Sequence, residues 1–79
     1  MRLDKYLKVS RLIKRRTVAN EACDNQRVFV NGVPARASYA VKPGDEIEIR
    51  LGQRVTRVRI ERVEEHAGKG EAHAMYREI

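Results

Sequence analysis

Apolar positions recur along this chain with two different periods, and the change of period separates helical from extended parts. At 100° per residue, Leu3, Tyr6 and Leu7 share one side of a helix over 3–9, while Arg2, Lys5 and Lys8 share the other. The stretch 10–16 breaks that pattern. Leu12 and Ile13 sit there among basic residues, as anchors for a connector whose charged side chains stay in water. A second helix is predicted from Thr17, a favoured N-cap residue type, to about Asp24, with Val18, Ala19, Ala22 and Cys23 as its apolar stripe.

Beyond the second helix the period drops to two. Arg27-Val28-Phe29-Val30 and Val33-Pro34-Ala35-Arg36 flank Asn31-Gly32, a hairpin turn in which both positions need positive φ. Pro34 has no N–H for a ladder, so the return strand is expected to be short or at an edge. Phe29 has the opposite parity to Val28 and Val30; the core is its expected place. Lys42-Pro43-Gly44-Asp45 fits a type II turn, with proline second and glycine third. The strand that follows, 46–51, alternates cleanly and points Ile47, Ile49 and Leu51 inward. Gly52-Gln53 then turns into a partner strand over 54–63. Val55 is out of phase there with Val58 and Ile60, and a bulge near Thr56-Arg57 would reconcile them. The segment 64–70 reads as a mobile loop by composition, and Ala72, Met75, Tyr76 and Ile79 as the stripe of a short amphipathic helix.

The expected fold class is therefore α+β: two short N-terminal helices packed on a small antiparallel sheet, with a short C-terminal helix. Residues 1–63 would form the domain proper and 64–79 a loop with its closing helix. A chain of 79 residues makes one small domain whose core contributes a few kcal/mol of net stability at most. No apolar run is long enough for a membrane span or a signal peptide, and the single Cys23 cannot close an internal disulfide. These features point to a reducing cytoplasm, with Cys23 a small buried hydrophobe. Three tyrosines, one phenylalanine and no tryptophan leave little to line a substrate pocket, so neither catalysis nor a cofactor is expected. His66 and His73 have no second cysteine in support, so no metal site is expected either.

Charge changes the picture more than composition does. The net charge is +6, and all of it lies in the first sixteen residues: Arg2, Lys5, Lys8, Arg11, Lys14, Arg15 and Arg16 against Asp4. The remainder of the chain sums to zero. A neutral body with one cationic end is suited to a polyanion, and nucleic acid is the expected one. Lys14, Arg15 and Arg16 directly precede the second helix, whose free N–H groups and dipole would join them in attracting a phosphate. A second basic series, Arg54, Arg57, Arg59 and Arg62, has Glu46, Glu48 and Glu61 available across the strands, so internal pairing is the expectation there. Tyr6 is expected in the core with its hydroxyl exposed. Tyr39 could stack on a base or cover the sheet. Asp4 is either a carboxylate favoured by the helix dipole or an orienting partner for Arg11 or Arg16.

The segments RLDKYLKVSRLIKRRTVANEA, RVFVNG and VKPGDEIEI, in this order, resemble the small RNA-binding domain first described in ribosomal protein S-four, the alpha-L motif. The KVSRLIKRRT stretch and the terminal HAMYREI are similar to the RqcP family of bacterial ribosome-associated quality control, a relative of the heat-shock-fifteen family. One departure is Asn25-Gln26 where that domain usually ends its second helix with glycine; Asn25 is expected to take the left-handed cap. The resemblance implies binding to a dissociated large ribosomal subunit that still carries peptidyl-tRNA. It implies stabilisation of that tRNA in the P site while an RqcH-like tailing factor adds alanine to the stalled chain without a template. The rRNA of the large subunit and the tRNA backbone would be the partners, not a membrane and not DNA. Arg2, Lys5, Arg11 and Arg16 would lead the RNA contacts, with Lys8, Lys14 and Arg15 in support. Two other readings stay open on the residues alone: a DNA-binding regulator, since two short helices and a basic turn mimic a helix-turn-helix, or an accessory subunit of an RNA-modifying enzyme.

Overall fold

A computed structural model describes residues 1–79, apart from the side chains of Lys69 and His73. Two helices, α1 (Leu3–Val9) and α2 (Arg16–Asp24), pack together. They cover one face of an antiparallel sheet built from β1 (Val28–Val30), β2 (Val33–Pro34), β3 (Glu46–Leu51), β4 (Arg54–Ile60) and β5 (Tyr76–Glu78), in the order β2-β1-β3-β4-β5. The core lies between them. Leu3, Tyr6 and Leu7 from α1 and Ala19, Ala22 and Cys23 from α2 meet Val28, Val30, Ile47, Ile49, Val58 and Ile60 from the sheet. The small residues on α2 let that helix sit close to its neighbours. Val18 lies outside this stripe and is 42% exposed on the helix's first turn, contrary to the expected pattern.

The turns follow their predicted chemistry. Asn31 and Gly32 take φ of 53° and 84°, which makes the β1–β2 connection the tight turn expected of Asn-Gly. Pro34 ends a two-residue strand at the edge of the sheet. Gly44 has φ of 94°, and the Asp45 N–H donates to the Lys42 carbonyl at 3.1 Å, closing the type II turn. The Asp45 carboxylate, only 2% exposed, then accepts from Tyr39 Oη at 2.9 Å, Asn31 Nδ2 at 3.1 Å and the Lys42 N–H at 3.1 Å. Tyr39, partly buried against the core, thus braces this turn.

Several expectations are corrected. The ladder between β3 and β4 runs unbroken from Glu46↔Arg59 to Leu51↔Arg54, so there is no bulge at Thr56-Arg57. Val55 keeps strict alternation and sits on the outer face opposite Arg50, 57% exposed. Leu51, expected inward, is 39% exposed because the hairpin tip runs past the edge of the helical layer. β4 ends at Ile60, three residues early, because the Glu61 and Arg62 N–H groups turn to the Met75 carbonyl at 2.8 and 3.1 Å. Phe29 lies on the outer face, half-buried, with the Arg50 guanidinium carbon 4.4 Å from its ring centroid.

The C-terminal helix is a single turn, α3 (Lys69–Ala72), followed by a 3₁₀ turn over His73–Met75 and then β5. A three-residue period still puts Ala72 and Met75 on one side, and both are buried. Tyr76 pairs with Ile60 as strand instead of continuing the helix, which leaves Ile79 53% exposed. Tyr6 is wholly buried, and its hydroxyl is not free: it donates to the Met75 carbonyl at 2.7 Å. Burial, with the nearby Tyr76 and Glu61, pushes that phenol well above its ordinary pKa.

The end of α2 carries the departure noted in the sequence. The left-handed residue is Gln26, with φ of 58°, while Asn25 keeps φ of −89°. The Gln26 N–H donates to Cys23 O at 3.0 Å and the Arg27 N–H to Ala22 O at 2.9 Å, the paired bonds of a Schellman cap. A glutamine therefore occupies the position best suited to glycine.

Candidate nucleic-acid interface

The first residues are stitched to a loop before they enter α1. Val41 N–H donates to Met1 O at 3.0 Å, Arg2 bridges to Ala40, and Leu3 N–H donates to Tyr39 O at 2.8 Å. Arg2 is thereby fixed at the start of α1, beside Asp4. The Asp4 carboxylate is 2% exposed and gathers the site: Arg2 Nε at 3.1 Å, Arg16 Nε at 3.4 Å, Asn20 Nδ2 at 3.2 Å and the Lys5 N–H at 2.8 Å. Burial alone would raise its pKa; the bonds from Asn20, Arg2, Arg16 and Lys5 outweigh that and hold it below the ordinary 3.8. Both readings of Asp4 thus meet in one residue at the start of the helix. Its arginine partners are Arg16 and Arg2, not Arg11. One carboxylate cannot neutralise two guanidiniums, and their side chains stay 51% and 49% exposed. Asp4 aims positive charge outward.

The connector places the rest. The Arg11 N–H donates to Lys8 O at 3.0 Å with φ of 64°, so Arg11 ends α1 in the left-handed conformation. Ile13 is buried and its N–H donates to Leu7 O at 3.1 Å, while Arg11, Lys14 and Arg15 remain exposed. Thr17 is not the cap. α2 starts one residue earlier, Arg15 is its N-cap residue, and no side chain caps it. The first backbone bond into α2 is Ala19 N–H to Arg15 O at 3.0 Å, so the Arg16, Thr17 and Val18 amides are the orphan donors of the helix start, next to Arg15 in the chain. Lys8, Arg11 and Lys14 line a hollow of about 430 Å³ with His66 and Glu65. Lys5 pairs with Glu65, which shields one cation of the set. Among the described residues, Lys8, Arg11, Lys14 and Arg15 carry no ion pair.

The sheet arginines behave differently. Arg57 pairs with Glu48 at 2.9 Å and Arg59 with Glu46 at 3.0 Å, as the strand pattern implies. Arg50 also pairs with Glu48, Arg62 takes Glu64 at 3.4 Å, and Glu61 goes to Arg77 at 3.3 Å, partners that the sequence did not single out. Arg54 stands without an ion pair among the described residues. Cys23 is buried as expected, and burial beside Asp4 and Asp24 pushes its thiol up to about 11, which leaves it unreactive near neutrality. No cluster of metal-ligating side chains exists among the described residues, and no helix there is long and apolar enough to cross a membrane. The side chain of His73 lies outside the described residues.

Two participants were missed by sequence reasoning. Asn20 lies four residues after Arg16, on the same side of α2, and that spacing was the available signal. Arg36 lines the same cleft as Arg2, although it is remote from the basic block in the chain.

The S4 domain family model matches residues 1–47. The chain is 58% identical over 76 residues to a Listeria innocua protein named RQC P-site tRNA stabilizing factor, covering 96% of this chain and 83% of that one. A Bacillus subtilis protein of the same name is 53% identical over 76 residues, covering 96% and 88%. The solved structure of Vibrio cholerae heat shock protein 15 superposes with a TM-score of 0.92 at 34% identity, over 100% of this chain and 81% of that one. With the alpha-L order of elements in place and the basic residues grouped at α1 and the start of α2, this chain belongs to the S4-domain proteins and, among them, to the family of RQC P-site tRNA stabilizing factors.

Proposed function

We propose that this protein is a non-catalytic RNA-binding adaptor of the cytoplasm that holds peptidyl-tRNA in the P site of a dissociated large ribosomal subunit. The observation that carries the reading is the pair of half-exposed arginines, Arg2 and Arg16, fixed on one buried carboxylate beside the uncapped start of α2. Arginine forks held in place lose little entropy on binding and can take phosphates bidentately. The open amides of α2 add donors for the same backbone. Lys8, Arg11, Lys14 and Arg15 then extend the positive surface, and Lys5 joins it when Glu65 yields. Contacts of this kind read phosphate position and RNA shape, which suits one large-subunit rRNA stem-loop and a tRNA backbone met together.

The names of the relatives support the tRNA assignment, and the neutrality of the remaining chain supports a single polyanion-facing end. In this role the protein supports template-free alanine tailing of the stalled chain by an RqcH-like factor, without itself forming or breaking a bond. Arg16→Ala is the direct test. Its melting temperature stays near that of the parent, because the buried Asp4 keeps its bonds from Arg2, Asn20 and the Lys5 N–H, and the Arg16 side chain is itself half in water. Retention on subunits that carry peptidyl-tRNA, read by gradient sedimentation, drops severalfold. Undiminished co-sedimentation of the variant with tRNA-bearing subunits would reject the proposal.

A further inference from the structure

Beside the phosphate-facing surface lies a cleft of about 510 Å³ between the C-terminal half of α2 and the loop 34–38. Arg2 and Arg36 stand on its lining, two guanidiniums that come from distant parts of the chain. Asn20, Asp24, Gln26 and Ser38 supply its polar lining. Among them are amide donors, amide and carboxylate acceptors and a hydroxyl. Pro34, Ala35 and Ala37 add apolar lining. Polar groups able to read a base edge, an apolar wall, and guanidinium groups that can stack on a base or take its flanking phosphates together suit an unstacked nucleotide.

A second observation comes from the backbone. Gln26 holds φ of 58°, a conformation that costs a residue with a Cβ about 1 kcal/mol or more relative to glycine. The cap itself needs only main-chain atoms, so a glycine would serve α2 better. The glutamine that takes its place lines the cleft.

We infer that this cleft receives one extruded base of the bound RNA, with its flanking phosphates on Arg2 and Arg36 and its edge against Gln26 and Asp24. The inference rests on the RNA-binding reading and adds base contact to a surface that otherwise reads only backbone and shape.

The experiment uses an RNA hairpin with a single-stranded loop, and the same hairpin with every loop base removed but the sugar-phosphate chain intact. Fluorescence anisotropy at fixed salt gives both affinities. The parent protein prefers the intact loop by about tenfold, the scale of one or two net hydrogen bonds to the base edge. Gln26→Gly lowers affinity for the intact loop alone and so collapses that preference, while its folding stability rises. Arg16→Ala weakens both hairpins by the same factor. In parallel, labelled protein is titrated with nucleoside monophosphates and with ribose phosphate. The nucleotides shift the Gln26 side-chain amide, and ribose phosphate leaves it unmoved. Equal binding of the two hairpins by the parent protein, or a preference that survives Gln26→Gly, overturns the cleft while leaving the RNA-binding reading intact. Failure to bind either hairpin sinks both.

Discussion

At the scale of single residues, two buried carboxylates organise the molecule, and each is charged because its hydrogen bonds outweigh its burial. Asp4 holds Arg2, Arg16 and Asn20; Asp45 holds Tyr39, Asn31 and Lys42. Both sit below the ordinary 3.8 in the folded chain. A carboxyl that binds its proton more weakly when folded than when unfolded contributes stability above the unfolded value, and loses it as pH falls through the folded one. Unfolding by urea at a series of pH values is expected to give a midpoint that is steady near neutrality and falls progressively below about pH 4. Asp4→Asn and Asp45→Asn each flatten that fall; a midpoint equally steep in the double variant would refute the assignment. Gln26 makes the opposite kind of prediction. Replacing it with glycine removes the left-handed penalty, so stability rises by about 1 kcal/mol and the melting temperature by roughly 4–8 °C. Differential scanning calorimetry reads that change directly, and a lowered temperature would show that the carboxamide supports the fold.

At the scale of elements, the C-terminal segment is tied to α1 through one tyrosine. Tyr6 Oη donates to the Met75 carbonyl, which also accepts from the Glu61 and Arg62 N–H groups. Tyr6→Phe leaves that carbonyl satisfied, so the cost stays near one net hydrogen bond, about 1 kcal/mol. Hydrogen exchange locates the effect: protection falls first at Tyr76–Glu78, while the β3–β4 hairpin keeps its own. Uniform loss across the sheet would mean that the segment is not separately held. This strap is also where sequence reading failed, and the reason is physical. Turn chemistry is local, so Asn31-Gly32 and Lys42-Pro43-Gly44-Asp45 were legible, and α1 was legible from its three apolar positions. The stripe Ala72–Met75 fits an α-helix and a 3₁₀ turn alike, and only the exposed edge of β4 decides that the chain pairs as β5. Val55 misled because an apolar side chain is expected inward, whereas it keeps the strand's alternation on the outer face; Leu51 misled because alternation states parity but not where the helical cover ends. In the site, the basic block was visible as charge. Its organisation around Asp4 was only half visible, since Arg2 needs the bridge to Ala40 to be fixed there.

For the whole molecule, the decisive matter is where the charge sits, because its total is the same wherever a residue is reversed. Lys14→Glu and Arg54→Glu each lower the net charge of +6 by two units. Neither residue is in an ion pair among the described residues, so neither change strands a buried partner. If the protein attracted RNA through its overall charge, the two variants would weaken binding alike at low salt, where long-range fields reach beyond about 10 Å. A grip on phosphates by one end behaves otherwise. Each lost phosphate contact takes its released counterions with it and makes the dependence of log affinity on log salt shallower by about one. Lys14, in the hollow beside Arg11, would show both the loss of affinity and the shallower slope. Arg54, at the hairpin tip beyond the helical cover, would show the parent's slope and nearly its affinity. Affinity for a structured RNA measured across a salt series separates the cases, and parallel behaviour of the two variants would mean that the cationic end has no privileged role.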